Sequence, residues 1–598
     1  MSAHDLAEGF AAHCARWAAD LGASGVAQKA ASQAARAVSL ATAAGHVCLP
    51  LDELADSAAE AESLSARRLE SGVVGPPEAR RPLVLDAQGR LYLGRYFGYE
   101  GRLAAALGAR AATPAQSVAL PTGLLDKLFP PRADGRADWQ KLAVALALEN
   151  RLTVISGGPG TGKTPTVAAL LACLLAAEPE LAVALAAPTG KAAARMIEAL
   201  NARAEKLPEA LRARLPREAS TVHRLLGVTP EPGRFRHHAG NPLPIDVLVV
   251  DEASMLDLAL ATRLVEAVPP HARLILLGDK DQLAAVEAGA VFAELSANPA
   301  LSPARVARLA ELSGTPAAAI APPCVAPGPL TDCVVWLTES HRFADDSGIG
   351  RLAGAIRAGD GAAAVACLEA DEPALVWLRE EAEIGPALEA GYQPYLAALR
   401  SGAGLPDLFA AFDAFRVLSP LRDGPRGVEA VNARLARWLR TALAHPVDPG
   451  PRSPWFPGRP VMVLRNDPTL GLFNGDIGLT LPDDQGEPWV HFPDGAGGWR
   501  AFPPGRLPEH ETALALTVHK AQGSEFDTVL VLLPDAPVQV MSRELLYTAV
   551  TRARQHATLA GPAAVIEAAV ATPTRRYSGL RDRLKELAVT TEGHNAKG

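Results

Sequence analysis

Ser156-Gly157-Gly158-Pro159-Gly160-Thr161-Gly162-Lys163-Thr164 has the form G-x-x-x-x-G-K-[ST], and it decides how the rest of the chain is read. The apolar run Leu152-Thr153-Val154-Ile155 before it predicts a buried strand. Val167-Ala168-Ala169-Leu170-Leu171 after it predicts a helix. A strand, a glycine-rich turn and a helix in that order form a phosphate loop. Its backbone N–H groups curl around phosphate oxygens, Lys163 reaches the outer phosphates, and the Thr164 hydroxyl suits Mg²⁺. This assigns a nucleoside triphosphate with Mg²⁺ as the ligand class and the backbone from Gly157 to Thr164 as its cradle.

Further apolar runs follow at Val183–Ala186, Val247–Val250 and Leu274–Leu277, with helical stretches between them. Strand and helix alternate from about 116 to 300, which predicts a doubly wound parallel sheet with its ligand at the strand C-termini. The third run ends in Asp251-Glu252. Asp251 suits Mg²⁺, and Glu252 is placed to deprotonate an attacking water. The fourth ends in Gly278-Asp279-Lys280-Asp281-Gln282, where Gln282 is expected to hydrogen-bond the terminal phosphate. Pro188-Thr189-Gly190-Lys191 and Thr221-Val222-His223 offer hydroxyls, N–H groups and cations suited to a phosphodiester backbone. Taken alone, each reads sooner as an ordinary helix cap beside a solvated side chain. Between them, Val228 to His238 carries a turn signal that predicts a β-hairpin excursion, near 225–245.

Residues 1 to about 115 are alanine-rich and mostly helical in pattern. They include two short strands around the turn Asp86-Ala87-Gln88-Gly89 and read as a packing or docking domain. Residues 314–330, rich in Ala, Pro and Gly, predict a flexible connection. A second α/β region is expected from 331, interrupted at about 450–512 by short strands spaced like a small barrel. It carries Thr517-Val518-His519-Lys520 and Gly523-Ser524-Glu525. Further along comes Tyr547-Thr548-Ala549-Val550-Thr551-Arg552, in which Arg552 is expected to point at a cleft. Ser340-His341-Arg342 offers a second cationic finger. Either arginine, delivered from a second domain, suits charge on a transferring phosphoryl group, although a surface salt bridge accounts for most single arginines. The tail from Glu592 is polar and expected to be disordered.

Composition bounds the rest. A chain of 598 residues implies ~3–5 domains. A net charge of −8 excludes a uniformly basic surface but not a local basic groove. The six cysteines are scattered without a metal-ligand spacing, so reduced thiols are expected. The start lacks a leader pattern and no apolar stretch spans a bilayer, so a cytoplasmic chain with no membrane contact is expected.

Taken in order, Gln140 in Asp138-Trp139-Gln140, the phosphate loop, A-P-T-G-K, D-E-A-S, G-D-x-x-Q-L, S-H-R-F, T-V-H-K-A-Q-G-S-E and Y-T-A-V-T-R-A resemble the motif set of superfamily 1 helicases from about 138 to 560. Val286-Glu287-Ala288-Gly289-Ala290-Val291 after Leu283, Leu472-Phe473-Asn474-Gly475-Asp476-Ile477-Gly478, and Arg81-Pro82-Leu83 with Leu91-Tyr92-Leu93 narrow the resemblance. They are similar to the RecD family, the alpha subunits of bacterial exodeoxyribonuclease V. The resemblance implies two RecA-like P-loop motor domains (116–330 and 331–598), a helical N-terminal docking domain (1–115) and an SH3-like β-barrel insertion. It implies ATP-driven 5′→3′ translocation on single-stranded DNA at duplex ends, inside a heterotrimer with RecB-like and RecC-like subunits, with the nuclease on another subunit. The implied roles are catalytic for Lys163, Glu252, Gln282, Arg342 and Arg552, and metal-binding for Thr164 and Asp251. Nucleotide contact falls to Gln140, Gly157, Gly158, Pro159, Gly160, Thr161, Gly162, Lys163, Thr164, Pro165, Gly523 and Glu525. DNA contact falls to Pro188, Thr189, Lys191, Thr221, His223, Thr517, His519 and Lys520. A stand-alone helicase of the same family and a mainly structural subunit with a weak ATPase are the alternatives, and the short N-terminal region fits the complex-bound form better. Pro165 departs from the family, which usually carries threonine there. Proline lacks the N–H that commonly meets the α-phosphate and disfavours a helical Thr164, so weakened nucleotide binding is expected.

Overall fold

The computed structural model describes residues 2–54, 65–116, 121, 123–130, 132, 135–205, 207–229, 231, 233–322, 326–342, 347–445, 448, 450, 453–467, 469–494 and 497–595. Cys324, Phe343, two prolines of the expected hairpin (Pro230 and Pro232) and the last three residues of the tail lie outside the described residues.

Four sheets organise the chain. Near the N-terminus, β1 (Cys48–Pro50), β2 (Val74–Gly75), β3 (Leu83–Leu85) and β4 (Arg90–Leu93) form a sheet in the order β1-β4-β3-β2. The helices Ala3–Asp20 and Gly25–Ala43 pack against each other through Ala7, Ala11, Cys14, Ala18, Ala31 and Ala35, small side chains that let the two backbones approach closely.

The first parallel sheet has the order β10-β5-β9-β8-β6-β7. Its members are β5 (Leu152–Gly157), β6 (Val183–Ala187), β7 (Ser220–Thr221), β8 (Val247–Val250), β9 (Arg273–Gly278) and β10 (Val334–Leu337). Strand period two sorts its side chains onto two faces. Leu152, Val154, Leu248, Val250, Leu274 and Leu276 enter one core, and Ile155, Val247, Val249, Ile275 and Leu277 enter the other. Burial of each such side chain contributes ~1.5–3 kcal/mol. The second core is closed by the helices Trp139–Glu149 and Lys163–Ala177, apolar nearly all round because they are buried all round. The first core receives Leu103 and Leu107 of the Gly94–Ala111 helix and Leu580 and Leu584 of the Leu580–Asn595 helix. The N-terminal part therefore shares a core with the phosphate-loop sheet.

Here the structure corrects the sequence. Val334–Leu337, expected to open the second region, is the edge strand of the first sheet, paired in parallel with Val154–Gly157. The tail expected to be disordered is helical through Asn595. In the expected hairpin excursion the described residues form the isolated antiparallel bridges Val228↔Phe235 and His238↔Asn241.

The second parallel sheet, β11-β20-β19-β12-β18, comprises β11 (Leu375–Leu378), β12 (Phe415–Ser419), β18 (Ala515–Thr517), β19 (Phe526–Leu532) and β20 (Ala553–Ala560). Between β12 and β18 lies an antiparallel sheet of order β16-β15-β14-β13-β17, with β13 (Pro460–Val463), β14 (Ile477–Pro482), β15 (Pro488–Pro493), β16 (Trp499–Phe502) and β17 (His510–Thr512). Its own small core is Val461, Val463, Leu472, Val490 and Phe492.

After the Ala563–Ala571 helix the chain returns to its N-terminus. The Thr574 hydroxyl bonds Ser542 at 2.9 Å, Arg576 donates to the Glu287 carbonyl at 2.7 Å, and Val47 N–H donates to the Tyr577 carbonyl at 2.8 Å. The buried Glu100 carboxylate accepts from Arg583 at 2.6 Å, the Ser578 hydroxyl at 2.9 Å and Gly579 N–H at 2.8 Å. A buried carboxylate is costly unless charge and donors surround it, and here both do. No helix among the described residues is long and apolar enough to cross a membrane.

Candidate nucleotide site between the two parallel sheets

The phosphate loop turns sharply because Gly160 (φ 76°) and Gly162 (φ 84°) take the left-handed conformation that glycine adopts without strain. A Cβ on Gly162 would collide with the Gln140 amide, which donates to the Thr161 carbonyl at 3.1 Å and meets His341 Nε2 at 2.9 Å. Lys163 opens the following helix. Its ammonium is folded onto the loop, donating to the carbonyls of Gly157 at 2.6 Å and Gly158 at 3.2 Å. Thr164 and Pro165 are the second and third residues of that helix, whose first main-chain bond is Thr166 N–H to the Gly162 carbonyl at 3.0 Å. Thr164 is thus helical in spite of Pro165. The first helical turn needs no N–H from residue 165.

At the end of β8, Asp251 Oδ1 accepts the Glu252 N–H at 2.8 Å, and Glu252 sits at φ 52°. That conformation costs a non-glycine residue ~1–3 kcal/mol and is found where surrounding structure enforces it, as at functional sites. Burial and the adjacent Glu252 push the Asp251 carboxyl up to about 6, against the pull of Lys163.

Past β10, Ser340 donates to the Pro159 carbonyl at 3.2 Å and His341 N–H to the Gly160 carbonyl at 2.8 Å. Arg342 therefore arrives from the first sheet's own edge strand, correcting the expectation that it is inserted from a second domain. Its guanidinium pairs at 2.8 Å with Glu525 of the second unit. Burial alone would raise the Glu525 carboxyl, but Arg342, Arg195 and Arg552 hold it at about 2. Arg552 is 2% exposed and is clasped by the carbonyls of Thr548 and Ser524, both at 3.2 Å. It borders the cleft as a fixed charge, not the free finger the sequence suggests.

Together these groups line one cleft of about 740 Å³. Its walls hold the loop from Gly158 to Pro165, Gln140, Asp251, Glu252, Gln282 and Arg342 on one side, and Gly523, Glu525 and Arg552 on the other. The volume suits a nucleotide-sized ligand. Buried carboxylates beside a lysine and a ring of arginines suit a polyanion held with a divalent cation. Gly157 is set just behind the loop, where its carbonyl meets Lys163.

The residues expected to touch DNA divide differently. The register Ala187↔Thr221 sets Thr221 beside the Pro188-Thr189 turn, and a Cβ on Gly523 would stand 3.8 Å from the Thr189 hydroxyl. Strand ends from both sheets therefore meet there. Thr189, Thr221 and Thr517 are engaged locally, accepting N–H groups of Ala192 (3.2 Å), Arg224 (3.2 Å) and Lys520 (3.3 Å). Lys191 lies 5.7 Å over the Phe526 ring, and burial lowers its amine to about 8. Lys520 is paired with Glu511 at 2.7 Å. His223 leans on the Phe235 ring, 5.9 Å between centroids, and burial lowers both His223 and His519.

Sequence reasoning missed Arg195, which donates to the carbonyls of Gly523 at 2.9 Å and Glu525 at 3.3 Å. It stands four residues after Lys191, on the same helix face, so the spacing carried the signal. It also missed the Tyr547 hydroxyl and Asp279, which follows β9 as Asp251 follows β8.

Residues 140–288 match the family model described as AAA domain, and 512–560 the model described as UvrD-like helicase C-terminal domain. The chain is 41% identical over 557 residues to the RecBCD enzyme subunit RecD of Mycobacterium tuberculosis, covering 92% of this chain and 88% of that one. It is 37% identical over 496 residues to the RecD subunit of Haemophilus influenzae, with 77% and 74% covered. Against the ATP-dependent RecD2 DNA helicase of Deinococcus radiodurans it is 33% identical over 503 residues, spanning 83% of this chain and 59% of that protein. A solved structure of Bacteroides Pif1 helicase with ADP-AlF3 and single-stranded DNA is 17% identical, with a TM-score of 0.37 over 80% of this chain and 99% of that one.

Proposed function

Because the chain belongs to the RecD family of RecBCD enzyme subunits, we propose that it is an ATP-hydrolysing DNA helicase subunit, moving 5′→3′ on single-stranded DNA from duplex ends. The observation that carries this is the convergence of both units on one cleft, with the phosphate loop, Asp251, Glu252, Gln282 and Arg342 facing Glu525 and Arg552.

The loop N–H groups bind the phosphates, and Lys163 exchanges its two carbonyl partners for them. Gln140, against the loop, contacts the base side. Thr164 and Asp251 would hold Mg²⁺, which when bound neutralises phosphate charge. Glu252 takes the proton of the attacking water. Arg342 and Arg552 face the charge that develops on the transferring group. Closing the cleft draws the two units together around Arg342, Arg195 and Glu525. Reopening after hydrolysis moves the Pro188-Thr189-Lys191 and Thr221-Val222-His223 turns against the Thr517-Val518-His519-Lys520 turn, which we assign to the DNA backbone. For phosphate contact, Lys520 must leave Glu511.

We assign residues 1–115 to a docking part and read the antiparallel sheet at 450–512 as an SH3-like barrel set into the second RecA-like motor. The partners are then RecB-like and RecC-like subunits, the nuclease belongs to one of them, and the DNA substrate places the work in the cytoplasm. Streptavidin displacement tests the direction. The full chain, alone or with its partner subunits, should strip streptavidin from a 3′-biotinylated oligonucleotide in the presence of ATP. Displacement from the 5′ end instead would contradict the reading.

A further inference from the structure

We propose that Tyr547 is a positioning residue for hydrolysis, acting from the second unit through Asp279 to orient Gln282; the inference rests on the ATPase reading above. Asp279, just past β9, is 1% exposed. Its Oδ1 accepts Asp281 N–H at 3.0 Å, and its Oδ2 accepts both Gln282 Nε2 at 3.2 Å and the Tyr547 hydroxyl at 3.1 Å. Tyr547 belongs to the Arg543–Val550 helix of the second unit, so its hydroxyl crosses between the units. On the way it passes the phosphate loop. A Cβ on Gly158 would stand 3.0 Å from that hydroxyl, so a side chain at the second residue of the loop motif would press on it.

Two more groups of the second unit grip the same turn. The Thr548 hydroxyl accepts Leu283 N–H at 2.9 Å, and Gln522 Nε2 donates to the Leu283 carbonyl at 2.7 Å. Residues 279–283 are thus held from outside their own sheet.

Inside this clasp, Gln282 Oε1 is buried with no hydrogen-bond partner among the described residues, while the residue borders the nucleotide cleft. An orphaned buried acceptor is costly and calls for a ligand that completes it. Phosphate oxygens are acceptors themselves and do not suit an amide oxygen. The O–H of a water does. Turning the amide over would set its oxygen against the Asp279 carboxylate, acceptor on acceptor. Asp279 therefore fixes Gln282 with its oxygen free for the attacking water that Glu252 deprotonates, in place of the phosphate contact expected from the sequence. Burial raises the Asp279 carboxyl, and Lys163 and the Tyr547 hydroxyl pull it back toward the ionised form that this orientation needs. Because the hydroxyl comes from the second unit, Gln282 is aimed only when the two units are together.

The test is steady-state ATP hydrolysis by the full chain with saturating oligo(dT), comparing wild type, Tyr547→Phe, Gln282→Ala and the double variant. Misplacing a catalytic contact by about 1 Å costs up to ~10²-fold. Tyr547→Phe should accordingly lower kcat ~10-fold or more while KM for ATP changes less than about threefold. In the Gln282→Ala background it should cost nothing further. Asp279→Asn, assayed alongside, should reproduce the kcat loss and keeps the test valid if the tyrosine variant folds poorly. An unchanged kcat in Tyr547→Phe, or losses that multiply in the double variant, would overturn the inference and leave the ATPase reading intact. A wild-type chain without ATPase would overturn that reading and this inference with it.

Discussion

Replacing Pro165 by threonine should tighten nucleotide binding. Two penalties follow from proline at this position, and the structure separates them. The conformational one does not operate, since Thr164 is already helical and the Thr166 N–H to Gly162 bond at 3.0 Å closes the first turn normally. The missing donor remains. Main-chain N–H groups at the start of this helix have no intrahelical partner, so they are available to a phosphate, and residue 165 offers none. One hydrogen bond to a charged group is worth ~1.5–3 kcal/mol, which converts to roughly 10- to 100-fold in Kd. The lower half of that range is expected, because on the proposed reading the neighbouring loop N–H groups and Lys163 would serve the same phosphates. Isothermal titration of the full chain with a non-hydrolysed ATP analogue and Mg²⁺ measures it directly. Pro165→Thr should bind about tenfold tighter with an unchanged melting temperature. Equal or weaker affinity in the threonine variant would show that the donor is not missed.

Three further outcomes are expected. Lys163→Gln should abolish hydrolysis while the chain stays folded, because Lys163 bonds only loop carbonyls here; a far-UV spectrum beside the ATPase assay checks both halves. Arg552→Ala should lower kcat by ~10²-fold or more with a smaller change in KM, and an unchanged kcat would make Arg552 only a clasp for Ser524 and Thr548. Glu294 should make stability fall with rising pH: burial and the neighbouring Glu100 push its carboxyl up to about 8, against Ser578 and Arg581. The folded chain keeps that proton to higher pH than the unfolded one. The contribution is therefore complete below about 4.5 and lost by pH 8, worth ~1–3 kcal/mol after allowing for partial exposure. Glu294→Gln should melt higher than wild type at pH 8 and nearly level at pH 5; parallel pH profiles would refute this.

What could be read in advance was what local pattern encodes. The strands β5, β6, β8 and β9 are short apolar runs ended by Gly, Pro or Asp, and the loop and the paired carboxylates follow from them by spacing alone. Val334-Val335-Trp336-Leu337 is an equally clear strand, yet nothing in it says which sheet it joins. That is settled by pairing with Val154–Gly157, some 180 residues away, and it moves Arg342 to the first unit. The polar tail looked unstructured because its helix is anchored through Glu100, 483 residues from Arg583. Tyr547 met the pattern of a buried helix face and is buried; its one polar atom, directed across the cleft, leaves no trace in periodicity. The lysines expected to touch DNA, Lys191 and Lys520, have local surroundings that no spacing rule specifies.

The central claim is that Glu252, held in its unusual backbone conformation beside Asp251, is the base of a DNA-linked ATPase. The most direct measurement is the rate of ATP hydrolysis by wild type and Glu252→Gln with and without oligo(dT), alongside their affinities for ATP. The wild-type rate should rise with DNA. Glu252→Gln should bind ATP as tightly as wild type and hydrolyse it ~10²-fold more slowly or worse, with or without DNA. A glutamine variant that turns over normally, or one that fails to bind ATP, would contradict the account.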